Sequence, residues 1–377
     1  METIASSYTL TAVDTEIIRR KKPLYSLNNM KPFENLTYLG RIRRMRQLAR
    51  YSLNAYDLTD MHLKFLRQVG NTLFRVNEAY PTLINKTNLY VPGQYLLRIH
   101  QPGYQTPAAI ELELEWLSSM CRHADLPVPE PVLTSDGKLY TQIAIPGIPE
   151  KHICSLLHWV NGRELKREEI QPYHYKALGE LMARLHYHAA HWQLPGGLSK
   201  RKYDWDGLFR KGGEGGILSG EAWSLLPPEY IEPFEIISRK VKQVMDKLGK
   251  GPDVYGLIHG DLGMGANVLF WNGDVHVIDF DDSGFGYYIF DLSVVLEDSQ
   301  DHQIRPQFRD ALLDGYTRLR PLSEDQIGNI DLFLASFAVF WSLYAADAVQ
   351  YHPEDQGEIF ERMSRYFRLI ENYLANN

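Results

Sequence analysis

The chain has 377 residues, of which 44% are hydrophobic and 23% charged, a composition typical of a large soluble globular protein with about two lobes or domains. The formal net charge is −7, and from Lys151 onward the chain has 23 basic and 33 acidic residues. This acidic excess argues against nucleic-acid binding. It would favour a cationic partner, but it would equally serve only to keep the protein soluble. Two cysteines are too few for a disulfide framework or a zinc site, and neither a leader-like start nor an apolar run of roughly 18 residues occurs, so we expect a cytoplasmic protein without membrane contact.

The first part of the chain predicts an arm followed by a helix. Residues 1 to about 35 are polar, and we expect a loosely attached arm there. Residues 41–56 carry apolar side chains at helical spacing, which predicts an amphipathic helix that packs on the elements after it. We assign residues 1–59 to this arm and helix.

Strand-like patterns follow, with Gly70 at a turn between two strands. A further strand over 90–99 leads into a predicted helix over 108–123. On that helix Glu113 shares the apolar face, so its charge needs a partner. Arg98, at the end of the preceding strand, is the obvious candidate. A last strand, Leu156-Leu-His-Trp159, completes a small lobe over 60–157.

The rest of the chain, residues 158–377, is predicted to be mainly helical, and His186 is interpreted as a structural histidine in the first helix. A glycine-rich stretch over 194–229 contains Tyr203-Asp-Trp-Asp206, which either contacts the substrate or packs on the surface. Helices are expected at about 173–191, 230–249, 289–299, 305–319, 325–349 and 357–374.

The most informative segment begins at His259-Gly-Asp261. Asn267 then opens a hairpin whose turn is Asn272-Gly273, a strong two-residue turn signal, and the hairpin returns Asp279 to the same loop. One Asp, one Asn and a second Asp form the oxygen-ligand set of phosphoryl transfer. In that set one carboxylate accepts the proton of the attacking hydroxyl, and the other oxygens hold Mg²⁺ on nucleotide phosphates.

A later helix bears on the phosphate acceptor. Phe337, Trp341 and Tyr344 fall on one of its faces, and core packing alone would explain them. Asp347, three residues after Tyr344, would add an acidic end to an aromatic wall. Such a wall suits an amino-bearing alcohol through cation–π and carboxylate contacts.

The segment from His259 through Ile278-Asp-Phe-Asp-Asp282 to Phe290-Asp291-Leu292 resembles the aminoglycoside phosphotransferase-like kinases. That family shares the protein-kinase fold and includes antibiotic, choline, homoserine and methylthioribose kinases and a stress-response protein kinase. Less specific similarity extends upstream to about residue 60. The resemblance implies an α+β fold with two lobes, a small β-rich nucleotide-binding lobe over 60–157 and a large helical catalytic and substrate lobe over 158–377.

The resemblance also implies ATP and Mg²⁺ as cofactors and a role for each loop residue. Asp261 would orient the acceptor hydroxyl and take its proton, while Asn267 and Asp279 would hold the metal. His259 would orient the catalytic loop by hydrogen bonding. Asp291 would anchor that loop from the next helix.

For the small lobe, the resemblance implies that Arg98 replaces the family's strand lysine, pairs with Glu113 and holds the nucleotide phosphates. The strand around Leu157 and Trp159 would be the hinge whose backbone binds adenine.

In one respect the chain departs from the family, because five residues rather than four separate the catalytic aspartate from the asparagine. We expect Gly263 and Gly265 to absorb the extra residue through positive φ angles. Asp281 and Asp282 either assist at the metal or cap the following turn.

Phosphorylation of a small-molecule hydroxyl is the function that the sequence favours. Two alternatives remain open: a Ser/Thr protein kinase of the stress-response type, and a nucleotide-binding module without turnover, which the longer loop suggests. A shallow groove beside Asp261 would favour a protein substrate, whereas an enclosed acidic pocket would favour a small molecule. The sequence does not indicate an oligomeric state.

Overall fold

The computed structural model describes residues 31–78, 89–210, 221–297, 305–349 and 356–376. Most of the predicted arm and the glycine-rich run over 212–216 lie outside these ranges. Among the described residues, a five-stranded antiparallel sheet in the order β1-β2-β3-β5-β4 forms the small lobe. Its strands are β1 His62–Val69, β2 Asn71–Asn77, β3 Tyr90–Ile99, β4 Tyr140–Ile143 and β5 His152–Val160.

The two faces of this sheet contact different partners. One face, with Phe74, Leu97 and Leu156, packs on the predicted amphipathic helix, α1 Tyr38–Leu53. The opposite face carries Arg98, because Arg98 neighbours Leu97 in β3 and successive side chains of a strand alternate. Arg98 therefore points away from α1.

Helix α2, Pro107–Ala124, crosses between the lobes. Thr106 caps its first turn by accepting the Ala109 N–H. Its apolar face buries Trp116, whose ring meets Phe280 of the large lobe edge-on at 5.6 Å between centroids. Glu113 lies one turn before Trp116 on the same side and is 1% exposed. The helix thus holds a buried carboxylate against the large lobe.

The large lobe is helical with two small sheets. Within the described ranges, the helices are α3 Pro172–His191, α4 Trp205–Phe209, α5 Pro228–Leu248, α6 Tyr288–Val295, α7 Arg305–Thr317, α8 Glu324–Gly328, α9 Ile330–Val349 and α10 Gln356–Asn376. One sheet, in the order β6-β10-β7, contains β6 Lys202–Tyr203, β7 Tyr255–Ile258 and β10 Gly284–Tyr287; the other is the hairpin of β8 Val268–Trp271 with β9 Asp274–Val277. This mixture of elements confirms the predicted two-lobed α+β fold.

The single helix predicted over 325–349 is in fact two helices. Ser323 starts α8 with a capping box, and the chain leaves helical geometry at Asn329 before α9 begins. Gly328 and Asn329 are poor helix formers, which explains the break. Helix α9 is long and apolar enough to pass for a membrane span over Ile330–Asp347, but 78% of that window is buried inside the protein. It is a core helix, as the sequence predicted.

The predicted hairpin is present with the expected turn. Asn272 and Gly273 have φ angles of 52° and 93°, the positive values that a two-residue hairpin turn of this kind requires. The hairpin is tied to the segment after β5, because Arg163 and Phe270 exchange backbone hydrogen bonds of 3.2 and 2.9 Å. The hairpin is therefore joined to the segment that links the two lobes.

Candidate active site

Asp291 holds the loop that carries Asp261. From the first turns of α6 its carboxylate accepts the backbone N–H groups of His259 (2.8 Å) and Gly260 (2.7 Å). It also accepts the Nε2–H of His186 at 3.1 Å, so His186 supports the anchor, in line with its structural interpretation. All of these groups are buried, and the result is a rigid mount for residues 259–261.

His259 orients the same loop from the inside. Its Nε2–H donates to the Ile278 carbonyl (2.9 Å), and its Nδ1 accepts the Asp261 N–H (3.4 Å). Burial lowers the pKa of His259, so the ring is neutral, as this donor–acceptor pattern requires. Gly260 has φ 84°, and a Cβ there would lie 2.8 Å from the Asp282 carbonyl and the Tyr203 hydroxyl. Only glycine fits at the position before Asp261.

Asn267 reaches Asp261 despite the longer loop. Its Nδ2 donates to the Asp261 carbonyl (2.7 Å) and to Oδ2 of the Asp261 carboxylate (3.2 Å). The extra residue is taken up in a turn in which the Gly263 carbonyl accepts the N–H groups of Ala266 and Asn267. Neither Gly263 nor Gly265 has a positive φ angle, so the expected mechanism was wrong. An ordinary turn absorbs the insertion, because backbone hydrogen bonds close it without strain.

Asp279 lies where the two lobes meet. Its backbone is left-handed (φ 65°), which turns the carboxylate toward the small lobe. Arg98 Nη2 lies 3.1 Å from Oδ1, and Arg67 Nη2 lies 2.7 Å from Oδ2. Across the described part of the chain, no three His, Cys, Asp or Glu side chains form a metal cage. One carboxylate with the Asn267 carboxamide is the kind of donor set that Mg²⁺ uses when phosphates complete its coordination.

Arg98, Glu113 and Lys200 form a buried charge cluster. Arg98 Nη1 contacts Glu113 Oε1 at 2.7 Å, so the predicted ion pair is present. Lys200 Nζ contacts the other oxygen at 3.2 Å and donates to the carbonyls of Phe280 (2.9 Å) and Asp281 (3.1 Å). Lys200 thus fastens the turn after Asp279 onto helix α2.

The charged groups in this cluster shift the pKa values of their neighbours. Burial by itself would raise the pKa of Glu113, but Lys200 and Arg98 outweigh it and lower the pKa to about 2. Burial lowers the pKa of Lys200, and Glu113 opposes that change. The Glu113 carboxylate is therefore ionised at every physiological pH, because its two cationic partners outweigh the effect of burial.

The two aspartates after Asp279 have different partners. Asp281 accepts hydrogen bonds from Asn71 (2.9 Å) and Gln105 (2.7 Å) of the small lobe, and burial raises its pKa to about 6 although Arg98 opposes the change. Asp282 forms an ion pair with Arg201. Asp281 therefore joins the two lobes, whereas Asp282 pairs with a residue of its own lobe. Neither of the two interpretations from the sequence foresaw these partners.

The predicted hinge residues lie on the cleft side of the sheet. Leu157 faces Leu96 across the β3–β5 pair, and facing residues share a side, so both lie on the face of Arg98. Trp159 follows by two residues on the same side, and the Arg75 guanidinium covers its ring at 4.2 Å. Leu157, which is buried, and Trp159, which is partly exposed, therefore lie on the same face of the sheet as Arg98.

The residues predicted to contact substrate divide into two groups. Asp204 caps α4 and pairs with Lys250 at 2.6 Å, and Trp205 Nε1 donates to Ser238 Oγ at 2.9 Å, so both pack structurally. Phe337 is likewise 3% exposed in the core. Tyr344 is different. Burial raises its pKa, and the charges of Asp282 and Asp347 add to this while Arg201 opposes it. The tyrosine thus lies within electrostatic reach of Asp282, in the turn after Asp279.

Several site residues have no clear sequence signal. Lys200 stands in Ser-Lys-Arg-Lys, a run that normally predicts a solvated surface, yet its side chain is 1% exposed. Arg67 lies in an unremarkable strand pattern, and Gln105 in a loop. The carboxylate of Glu113 on the apolar face of α2 predicted a cationic partner, but it pointed to Arg98 and not to Lys200.

His100, two residues after Arg98, should make the protein sensitive to mild acid. Burial lowers the pKa of His100 from 6.5 to about 3, and the charge of Arg98 adds to this. Between these pH values only the unfolded state binds the proton, so stability is lost as pH falls. We expect His100→Gln to reduce the loss of unfolding free energy between pH 7 and pH 5 by about 2 kcal/mol, measured by urea unfolding.

The same substitution at His62, which is exposed on β1, serves as the control for this experiment. If the His100→Gln protein lost as much stability as the wild type over this range, the buried neutral state of His100 would be contradicted.

The sequence matches the profile of the family described as "Phosphotransferase enzyme family" over residues 87–324. An uncharacterized protein of Deinococcus radiodurans is 26% identical over 316 residues, covering 81% of this chain and 83% of that protein.

Solved structures of small-molecule kinases have the same fold. A microcompartment-associated aminopropanol kinase superposes with a TM-score of 0.71 at 22% identity, covering 88% of this chain and 98% of that one. The amicoumacin kinase hAmiN, solved with AMP-PNP, Ca²⁺ and Ami, gives a TM-score of 0.65 at 19% identity, covering 89% of this chain and 94% of that one. A Plasmodium vivax ethanolamine kinase gives 0.55 at 13%, covering 88% of each chain. These likenesses confirm the fold that the sequence predicted.

Proposed function

Because the chain belongs to the phosphotransferase enzyme family, we propose that it transfers the γ-phosphoryl group of ATP, bound with Mg²⁺, to a hydroxyl group of a small molecule. One observation carries this proposal. Arg98 contacts both Glu113 and Asp279, so the arginine that we propose holds phosphate lies 3.1 Å from the carboxylate that we propose holds the metal. These residues are far apart in sequence, and phosphoryl transfer is the chemistry that needs them together.

In this mechanism Asp261 orients the acceptor hydroxyl and takes its proton as the oxygen attacks the γ-phosphorus. Asn267 holds the Asp261 carboxylate through its 3.2 Å hydrogen bond. His259 and Asp291 keep the loop backbone fixed, so the carboxylate does not have to reorganise during the reaction. The proton leaves the hydroxyl for Asp261, and the bond to the leaving β-phosphate oxygen breaks.

Asp279 and Asn267 would hold Mg²⁺, which neutralises charge on the phosphates when bound. Lys200 keeps Asp279 in place, because it grips the two carbonyls that follow it. Arg98 binds phosphate oxygens while Glu113 fixes its direction. Leu157 and Trp159 provide the strand against which adenine would lie. We place the reaction in the cytoplasm, where ATP and reduced cysteines are expected.

We extend the proposal to an amino-bearing acceptor. This extension is supported by acidic and aromatic side chains close to the turn after Asp279. There, burial and the charges of Asp282 and Asp347 raise the pKa of Tyr344. Arg201 lies there too, but Asp282 pairs with it. Aminopropanol and ethanolamine kinases among the structures with the same fold act on amino alcohols, which agrees with this class of acceptor.

The test is transfer from γ-labelled ATP in the presence of Mg²⁺. Each amino alcohol of a panel (aminopropanol, ethanolamine, choline) is paired with the alcohol that lacks the amine. We expect label on the amino alcohol and at least about tenfold less on its partner, the difference that one desolvated ionic contact makes.

The other outcomes are equally informative. Equal labelling of both members of a pair would remove the amine requirement but keep the kinase. Label on protein instead of the panel would support the Ser/Thr protein kinase, and ATP binding without any transfer would support the module without turnover.

A further inference from the structure

Arg67 reaches the site because of a bulge in β1. Phe65 faces Phe74 across the β1–β2 pair, but the next pair is Arg67 with Leu73, so Leu66 is the extra residue. Leu73 in turn faces Arg98 across β2 and β3. The bulge therefore places Arg67 on the same side of the sheet as Arg98, whereas regular pairing would have put Leu66 there. Bulges commonly redirect one side chain beside a functional site.

The two arginines hold Asp279 in different ways. Arg98 contacts Oδ1, is 3% exposed and is fixed by Glu113. Arg67 contacts Oδ2 at 2.7 Å, but its side chain is 58% exposed. An exposed ion pair is weak and easily exchanged for another partner. The Arg98 guanidinium is thus fixed in the site, whereas the Arg67 guanidinium could leave Asp279 when that carboxylate binds a metal ion.

We propose that Arg67 exchanges partners during nucleotide binding: it pairs with Asp279 in the nucleotide-free protein and contacts the γ-phosphate of bound ATP. This inference rests on the proposed function. A metal ion held by Asp279 would compete with the Arg67 guanidinium for the carboxylate, and the phosphate oxygens of ATP would offer the guanidinium a geometrically matched partner.

Strand order identifies the γ-phosphate as the new partner. The hinge strand β5 neighbours β3, which carries Arg98, while β1 lies two strands further on, about 10 Å away. In a nucleotide whose base lies against β5, the phosphates nearer the base would lie beside Arg98, and the terminal phosphate would lie beside Arg67. ADP, which lacks that phosphate, would not extend to Arg67.

The test compares two nucleotides by calorimetry in Mg²⁺. For Arg67→Gln we expect the affinity for AMP-PNP to fall about tenfold, the effect of losing one hydrogen-bonded charge contact. The affinity for ADP should stay within about twofold or rise, because the variant no longer has an arginine that competes for Asp279. Lys138→Gln is the matched control: it removes one positive charge and an exposed ion pair with Asp136 in the same lobe, and it should change neither affinity.

Unchanged AMP-PNP affinity, or an equal loss for both nucleotides, would overturn the assignment of Arg67 to the γ-phosphate. If the wild-type protein bound neither nucleotide, the proposed function itself would fail, and this result is distinct from a failure confined to Arg67. A thermal melt of each variant checks that the fold is intact.

Discussion

Asp261→Asn is expected to lower the rate of phosphoryl transfer by at least about 10²-fold, because a positioned general base contributes about 10²–10⁴-fold. An asparagine side chain cannot accept the hydroxyl proton. Its Oδ1 can still accept the Asn267 Nδ2–H that Asp261 Oδ2 accepts at 3.2 Å, so the loop should keep its shape. ATP binding should therefore persist, which calorimetry will show beside the transfer assay.

Asp274→Asn is the matched control for this variant. Asp274 begins the second strand of the same hairpin and is exposed, so the identical substitution there should leave transfer unchanged. Full transfer activity in Asp261→Asn would show that another group takes the proton, and the assigned role of Asp261 would be lost.

Lys200→Met is expected to lower the free energy of unfolding by about 3–5 kcal/mol, the usual cost of removing one member of a buried ion pair. The Glu113 oxygen at 3.2 Å and the carbonyls of Phe280 and Asp281 would lose their buried donor. The turn after Asp279 would also lose its tie to α2, so we expect weaker binding of MgATP in any variant that still folds. Urea unfolding measures the first effect and calorimetry the second.

Two further variants make the Lys200 experiment decisive. Lys242→Met removes an exposed pair with Asp246 and should have little effect on stability. Adding Glu113→Gln to Lys200→Met should recover part of the loss, because the uncompensated carboxylate is then gone. A loss below about 1 kcal/mol in Lys200→Met, the range of exposed pairs, would mean that Arg98 alone satisfies Glu113.

The sequence by itself determined the hairpin that follows the loop of Asp261. Asn272-Gly273 specifies a turn with two positive φ angles, and the observed angles agree. Helical and strand periods also predicted α1, α2 and the strands β1, β2, β3 and β5 of the small lobe. Such features depend on neighbouring residues and on local backbone preferences, which a single sequence records.

Only the tertiary structure decided which cations meet the site's carboxylates. Arg67 lies 212 positions from Asp279, and Lys200 lies 87 positions from Glu113. A one-residue bulge turns Arg67 into the cleft, and a bulge of this kind carries no composition signal. Whether a lysine in a basic run is buried depends on the packing of segments far apart in the chain. Side-chain direction and long-range charge pairing are properties of the assembled fold, because they depend on which distant segments the fold brings together.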